Sequence, residues 1–174
     1  MHIGHAHRLA VGCMRLSTAA DRDEDRAVAV LQAAFEAGLT FLDTADAYCR
    51  DDRDVGHNER LIARALDGWA GDRASIQVAT KGGLTRPGGR WVADGRARHL
   101  RTACEASRRA LGVERIHLYQ LHVPDPRTPL STSVRALASL RDDGLIEKIG
   151  LCNVSVRQIE EARGITEIRR SRSK

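Results

Sequence analysis

Leu39-Thr40-Phe41-Leu42-Asp43 decides the fold class: it is a short apolar run that ends on a carboxylate directly after a helical pattern. Upstream, Val28, Leu31, Phe35 and Leu39 recur at the spacing of one helix face, so a helix delivers the chain into a brief strand. The same order repeats. Leu61, Ile62, Ala65, Leu66 and Trp69 precede the strand Ile76-Gln77-Val78-Ala79. Leu100, Ala103, Cys104, Ser107 and Leu111 precede Ile116-His117-Leu118-Tyr119-Gln120-Leu121. Val134, Leu137, Ala138 and Ile146 continue toward a strand at Ile149-Gly150-Leu151, and Ser155-Val156-Arg157-Gln158 has the form of a capping box opening one more helix. Leu9-Ala10-Val11-Gly12 reads as the first strand. Strands that alternate with helices are joined by crossovers and pair in parallel, so the class is α/β. Asp43, Lys81, His122 and Asn153 close successive strands at intervals of 38, 41 and 31 positions. At that interval 174 residues hold about five units, whereas a closed (β/α)8 TIM barrel takes on the order of 250 residues. The expectation is a partial (β/α)8 barrel over residues 1–164 and a basic, irregular tail over 165–174.

Composition bounds the function. With 42% hydrophobic and 29% charged residues the chain reads as an ordinary globular domain, and no run is long and apolar enough to span a bilayer. Met1-His2-Ile3-Gly4-His5 lacks the basic and then apolar build of a signal peptide, which makes the cytoplasm the expected compartment. Of the net charge of +5, Arg169, Arg170, Arg172 and Lys174 supply +4, so the body is nearly neutral. Aromatic residues are 3% of the chain and none interleaves with that tail, so no specific nucleic-acid site is expected. Cys13, Cys49, Cys104 and Cys152 have no metal-ligand spacing and read as reduced thiols. His2, His5 and His7 have no acidic or thiolate companion, so no metal site is expected.

In parallel α/β folds ligands sit at the carboxyl ends of the strands, where this chain places Asp43, Lys81, His122 and Asn153. Each alone has an ordinary explanation as a turn residue, a surface charge or a structural imidazole. Together they ring one mouth. Tyr48 adds a phenol, which serves as a general acid near neutral pH if a neighbouring cation stabilises its anion. Lys81 supplies that charge if Asp43 holds it in place, and His122 can donate a hydrogen bond to a substrate oxygen. Such a site protonates a carbonyl oxygen.

The phrases Phe41-Leu42-Asp43-Thr44-Ala45-Asp46-Ala47-Tyr48, Gly56-His57-Asn58-Glu59-Arg60-Leu61-Ile62, Ala79-Thr80-Lys81-Gly82-Gly83 and Tyr119-Gln120-Leu121-His122 match aldo-keto reductase motifs in order and spacing. The chain resembles that family from about Val11 to about Ala162. The resemblance implies a catalytic tetrad of Asp43, Tyr48, Lys81 and His122, with Tyr48 as proton donor to an aldehyde or ketone, or acceptor in the reverse oxidation of an alcohol. It implies a nicotinamide cofactor, usually NADPH and alternatively NADH, with Asn153 at the carboxamide. Cys152 stands where the family commonly has Ser, and a thiol is the weaker hydrogen-bond partner. The family's pyrophosphate and adenosine contacts come from loops after the last strands, and no sixth strand is expected before Lys174. No GxGxxG fingerprint replaces them. Five strands leave two open edges, so pairing with another copy is expected. Two functions are open at this level: an oxidoreductase acting on a small carbonyl or alcohol, and a catalytically silent truncated barrel that serves as an oligomerising or partner-binding module.

Two smaller features complete the reading. Gly82-Gly83-Leu84-Thr85-Arg86-Pro87-Gly88-Gly89-Arg90 lacks P-loop order and reads as a flexible loop lining the substrate mouth, with Trp91 as its cover or its anchor. Asn58-Glu59 opens a helix, and capping and dipole effects account for the acid there.

Overall fold

The structure, a computed structural model, describes residues 9–168. His2, His5, His7 and the basic residues from Arg169 onward lie outside the described residues. The principal sheet contains β1 (Val11–Gly12), β2 (Phe41–Asp43), β3 (Gln77–Gly82), β6 (Ile116–Leu121) and β7 (Ile146–Leu151), all parallel and in that spatial order. A small antiparallel pair, β4 (Leu84–Thr85) and β5 (Val92–Ala93), is inserted after β3. Helices α1 (Arg15–Thr18), α2 (Glu24–Glu36), α3 (His57–Asp67), α4 (Ala97–Leu111), α5 (Leu130–Asp142) and α6 (Val156–Arg163) fill the connections. Each crossover advances the sheet by one strand in the same direction, which is how the wall of a (β/α)8 barrel is laid down; this chain builds about five of its units.

Local chemistry sets the element ends. Asp23 caps α2 by accepting from Arg26 N, and α6 opens on a complete capping box between Ser155 and Gln158. Gly112, with φ of 67°, ends α4 in the left-handed conformation that glycine adopts without strain. The predicted stripes face inward: Leu31 and Phe35 from α2, Leu61 and Ile62 from α3, Leu100 and Leu111 from α4, and Val134 and Leu137 from α5 join Leu42, Ile116 and Ile149 in one core. Fully burying a side chain of this size stabilises by about 1.5–3 kcal/mol, so the core fixes how each helix seats on the sheet.

Three boundaries differ from the sequence reading. Ile146 opens β7 opposite Ile116 instead of closing the helix before it, because α5 stops at Asp142 and Gly144 (φ 77°) turns the chain. β1 shrinks to two residues, and Leu9 is exposed. The loop after Lys81 is partly ordered as β4 and β5, with Asp94 N donating to Gly83 O at 3.0 Å. Where the tail was expected to begin, Ile165 and Ile168 still pack against the core and Arg141 Nη1 donates to Thr166 Oγ1.

Candidate active site

The strand ends gather the polar residues at one mouth. Asp43 ends β2, Lys81 lies one residue before the end of β3, His122 follows β6 directly, and Asn153 lies two residues past β7. Tyr48 sits on the turn after β2. That turn is fixed by main-chain bonds from Thr44 N to Ala79 O (2.8 Å) and from Asp46 N to Lys81 O (3.3 Å). Lys81 Nζ donates to Asp43 Oδ2 at 2.8 Å, to Thr44 O at 2.9 Å and to the Tyr48 hydroxyl oxygen at 3.0 Å. All three ammonium hydrogens are therefore committed, and the cation sits at the phenol. The His122 ring meets the Tyr48 ring edge-on, with centroids 5.5 Å apart. The structure thus brings Asp43, Tyr48, Lys81 and His122 into one cluster.

The electrostatics follow from burial and from that ammonium. Burial pulls the Lys81 pKa down, but the Asp43 carboxylate and Tyr48 more than offset it, so Lys81 is held above its ordinary value and stays cationic. Burial pushes the Tyr48 phenol up while Lys81 pulls it down, and the balance lies above the ordinary value, so the phenol keeps its proton near neutral pH. Burial and, after it, the Lys81 charge push His122 down from 6.5 to about 4, so its ring is neutral. Its Nδ1 is buried and has no hydrogen-bond partner among the described residues.

A histidine kept neutral by folding makes stability depend on pH. The unfolded chain takes up a proton near pH 6.5 and the folded chain only near 4, so acid favours unfolding. The His122 contribution is present above pH 6.5 and is lost as pH falls toward about 4. Urea melts across this window are expected to show the midpoint falling with acid, and His122→Asn to show a shallower fall. An unchanged slope in the variant would place the titration elsewhere.

Asn153 and Cys152 lie beside the cluster. Asn153 adopts φ of 56°, a left-handed conformation that asparagine tolerates better than most residues, and its Nδ2 donates to His122 O at 2.9 Å. Cys152 Sγ donates to Gln120 Oε1 at 3.3 Å, while Gln120 Nε2 donates to Asp43 Oδ1 at 3.4 Å. Gln120 is a residue the sequence reading missed. It is almost fully buried and links the β7 end to Asp43, and Gly150 makes room for it, since a Cβ there would stand 2.8 Å from Gln120 Cγ. Trp91 is half-exposed at the mouth, its ring 6.3 Å from that of His122 and the Arg86 guanidinium 3.7 Å over its face.

The helix opening at His57-Asn58-Glu59 corrects the sequence reading. Asn58 is buried and accepts from Thr44 Oγ1 at 2.5 Å, while its Nδ2 donates to Cys13 O at 2.9 Å and Ser17 Oγ at 2.7 Å. It ties the first strand's loop to the residue whose carbonyl holds Lys81. Glu59 is not a solvated dipole-facing acid either: it is 1% exposed and accepts from Thr80 Oγ1 at 2.6 Å. The signal was present in sequence as two polar residues on the apolar stripe of α3, three positions before Leu61 and Ile62.

Among the described residues no group of three or more His, Cys, Asp or Glu side chains is arranged to hold a metal ion, and no helix is long and apolar enough to cross a membrane.

Comparison with known proteins agrees with this geometry. Over 161 residues the chain is 34% identical to an uncharacterized oxidoreductase of Schizosaccharomyces pombe, covering 90% of this chain and 50% of that protein. It is 34% identical over 164 residues to probable aldo-keto reductase 1 of Glycine max, covering 92% of this chain and 45% of that one. The chain therefore spans about half the length of the curated relatives it matches. Among solved structures, the glycerol dehydrogenase of Gluconobacter oxydans superposes with a TM-score of 0.78 at 32% identity, over 91% of this chain and 48% of that one. An aldo-keto reductase of Bacillus halodurans, solved in its holo form, gives 0.76 at 31% identity over 92% and 50%. A sequence match to the family model over residues 8–171, on a parallel sheet whose strand ends carry this cluster, makes the chain a member of the aldo/keto reductase family.

Proposed function

We propose that the site carries NADP(H)-dependent reduction of an aldehyde or ketone, and the reverse oxidation of an alcohol, with Tyr48 as the proton donor. The observation that carries this reading is the 3.0 Å contact from Lys81 Nζ to the Tyr48 hydroxyl oxygen. Because that oxygen accepts from the ammonium, its own hydrogen is directed elsewhere, and the opening beside His122 is where a substrate oxygen meets it. The neutral His122 ring donates to the same oxygen and selects its orientation. When the substrate oxygen takes the Tyr48 proton, the phenolate left behind is stabilised by Lys81, whose charge Asp43 keeps in place. Solvent then restores the proton.

The residues beside the tetrad fit the nicotinamide end of the cofactor. Asn153 has committed one of its two amide hydrogens to His122 O, its carbonyl oxygen can accept from a carboxamide N–H, and Cys152 and Gln120 border the same position. Hydride to or from the substrate carbon is the chemistry the bound cofactor supplies. The phenol's raised pKa favours the acid role at neutral pH, so reduction should dominate there and alcohol oxidation should gain as pH rises. NADH is the alternative donor.

The test is a titration of the chain with NADPH and separately NADH, followed by quenching of Trp69 and Trp91 fluorescence, and then by oxidation of bound NADPH on adding aldehydes. The expected result is saturable binding with micromolar dissociation constants and aldehyde-dependent loss of the NADPH signal. A folded sample that binds neither cofactor would end this reading for the chain and leave the partner-binding module in its place.

A further inference from the structure

Beneath the tetrad lies a second polar cluster that this reaction does not use. Asp46 and Glu59 are buried at 4% and 1% exposure, and Tyr119 is wholly buried. Asp46 Oδ1, Glu59 Oε2 and the Tyr119 hydroxyl have no hydrogen-bond partner among the described residues. They are coupled: Asp46 interacts electrostatically with Glu59 and Lys81, and Tyr119 with Asp46, Glu59 and Cys104. The main chain of Asp46 is pinned on both sides, its N–H to Lys81 O at 3.3 Å and its carbonyl by Gly56 N at 2.8 Å, and Tyr48 follows two residues later.

Two coupled carboxylates in so buried a chamber do not both keep their charge. Ionised, both offer only acceptors, to which Tyr119 and Ser107 each bring one hydroxyl donor, the latter at Glu59. A proton on one acid removes the repulsion between the two. Its position follows from the partners. Glu59 accepts a side-chain hydrogen bond from Thr80 at 2.6 Å, and its anion is also favoured by Ser107 and Arg60. Asp46 has the Ala47 amide and the Lys81 charge in its favour, and that charge is already bridged to Asp43. We propose that Asp46 stands as an uncharged carboxylic acid that donates within this chamber, a positioning residue that holds the Tyr48 turn while leaving the Lys81 charge to Asp43 and Tyr48. An ionised Asp46 would draw on the same ammonium and weaken its support of the Tyr48 anion. The positioning role rests on the proposed reaction; the charge state of Asp46 does not, and it is measured without cofactor or substrate.

The experiment compares the intact chain with Asp46→Asn and Glu59→Gln by infrared spectroscopy and by melting from pH 4 to pH 9. The wild type is expected to show the C=O stretch of a protonated carboxylic acid at neutral pH, lost in Asp46→Asn and kept in Glu59→Gln. An acid protonated when folded and ionised when unfolded loses stability as pH rises above its ordinary pKa. The melting temperature of Asp46→Asn relative to wild type should therefore climb with pH, reaching an advantage of roughly 3 °C or more at pH 8. A band lost in Glu59→Gln instead, or no such band in wild type, overturns the proposal. So does an Asp46→Asn protein that melts lower at pH 8 and level at pH 4. If Asp46→Asn does not fold, the wild-type band and its persistence in Glu59→Gln still decide the question. Absence of NADPH binding would remove the reaction and leave these results standing.

Discussion

Tyr48→Phe is expected to reduce carbonyl turnover by roughly 10²–10⁴-fold, the range that a positioned general acid contributes, while NADPH binding and the melting temperature stay close to wild type. The reason lies in how little else the hydroxyl does. It accepts from Lys81 Nζ, and that ammonium keeps Asp43 Oδ2 at 2.8 Å and Thr44 O at 2.9 Å when the phenol oxygen is gone. The ring stays, so its edge contact with His122 and its packing in the turn persist. Lys81→Met should cost at least as much turnover and also stability, because it strips the turn of the cation that joins β2 to β3 and leaves Asp43 without its ion pair. The comparison therefore separates a proton donor from its support. A Tyr48→Phe protein that reduces aldehydes at the wild-type rate would remove Tyr48 from the donor role, and a Lys81→Met protein equal to wild type would remove the reason for the cation's position. Steady-state rates with NADPH, beside thermal melts of the same samples, make the measurement.

The parts legible in sequence were those governed by one-dimensional spacing. Strand β6 was read residue for residue because Ile116–Leu121 is bounded by a helix stripe before it and His122 after it. Asp43, Lys81, His122 and Asn153 were visible as polar groups at strand ends, and the parallel topology then brings such residues to one mouth wherever they fall in the chain. What was missed depends on contacts across long separations. Gln120 read only as one residue of an alternating strand; its function as a link between Asp43 and Cys152 arises because β6 pairs with β7 on one side and stands one strand, β3, away from β2 on the other. Glu59 was given a capping explanation because a carboxylate in a first helical turn usually faces solvent and the dipole. Here α3 packs with its first turn against β3, and the Thr80 hydroxyl holds the acid inside. The β4 and β5 pair was missed for the opposite reason: its glycines advertise a loop, and two-residue strands carry too little alternation to register.

Gly82→Ala is expected to be the most damaging single methyl addition in the chain. A Cβ at this position would stand 2.0 Å from the Tyr119 hydroxyl oxygen and 2.9 Å from its ring carbon, both closer than a Cβ rests against an atom it is not bonded to. Tyr119 is wholly buried and cannot swing out to solvent to relieve the clash. The strand cannot yield cheaply either, because Gly82 O accepts from His122 N at 2.9 Å and Lys81 precedes it directly. Overpacking of this kind costs about 1–3 kcal/mol or more, so a loss of about 3 kcal/mol and a melting temperature lower by roughly 6–12 °C are expected. The displaced partner is one named atom, which makes the cause testable by a double-mutant cycle. In a Tyr119→Phe background the 2.0 Å contact is gone and the 2.9 Å contact remains, so Gly82→Ala should regain about 1–2 kcal/mol of its cost without becoming neutral. Additive losses would mean that the damage comes from the strand itself. A non-additive result would show that the close fit of Tyr119 under Gly82 sets the spacing between β3 and β6, and through it the distance from Lys81 to His122.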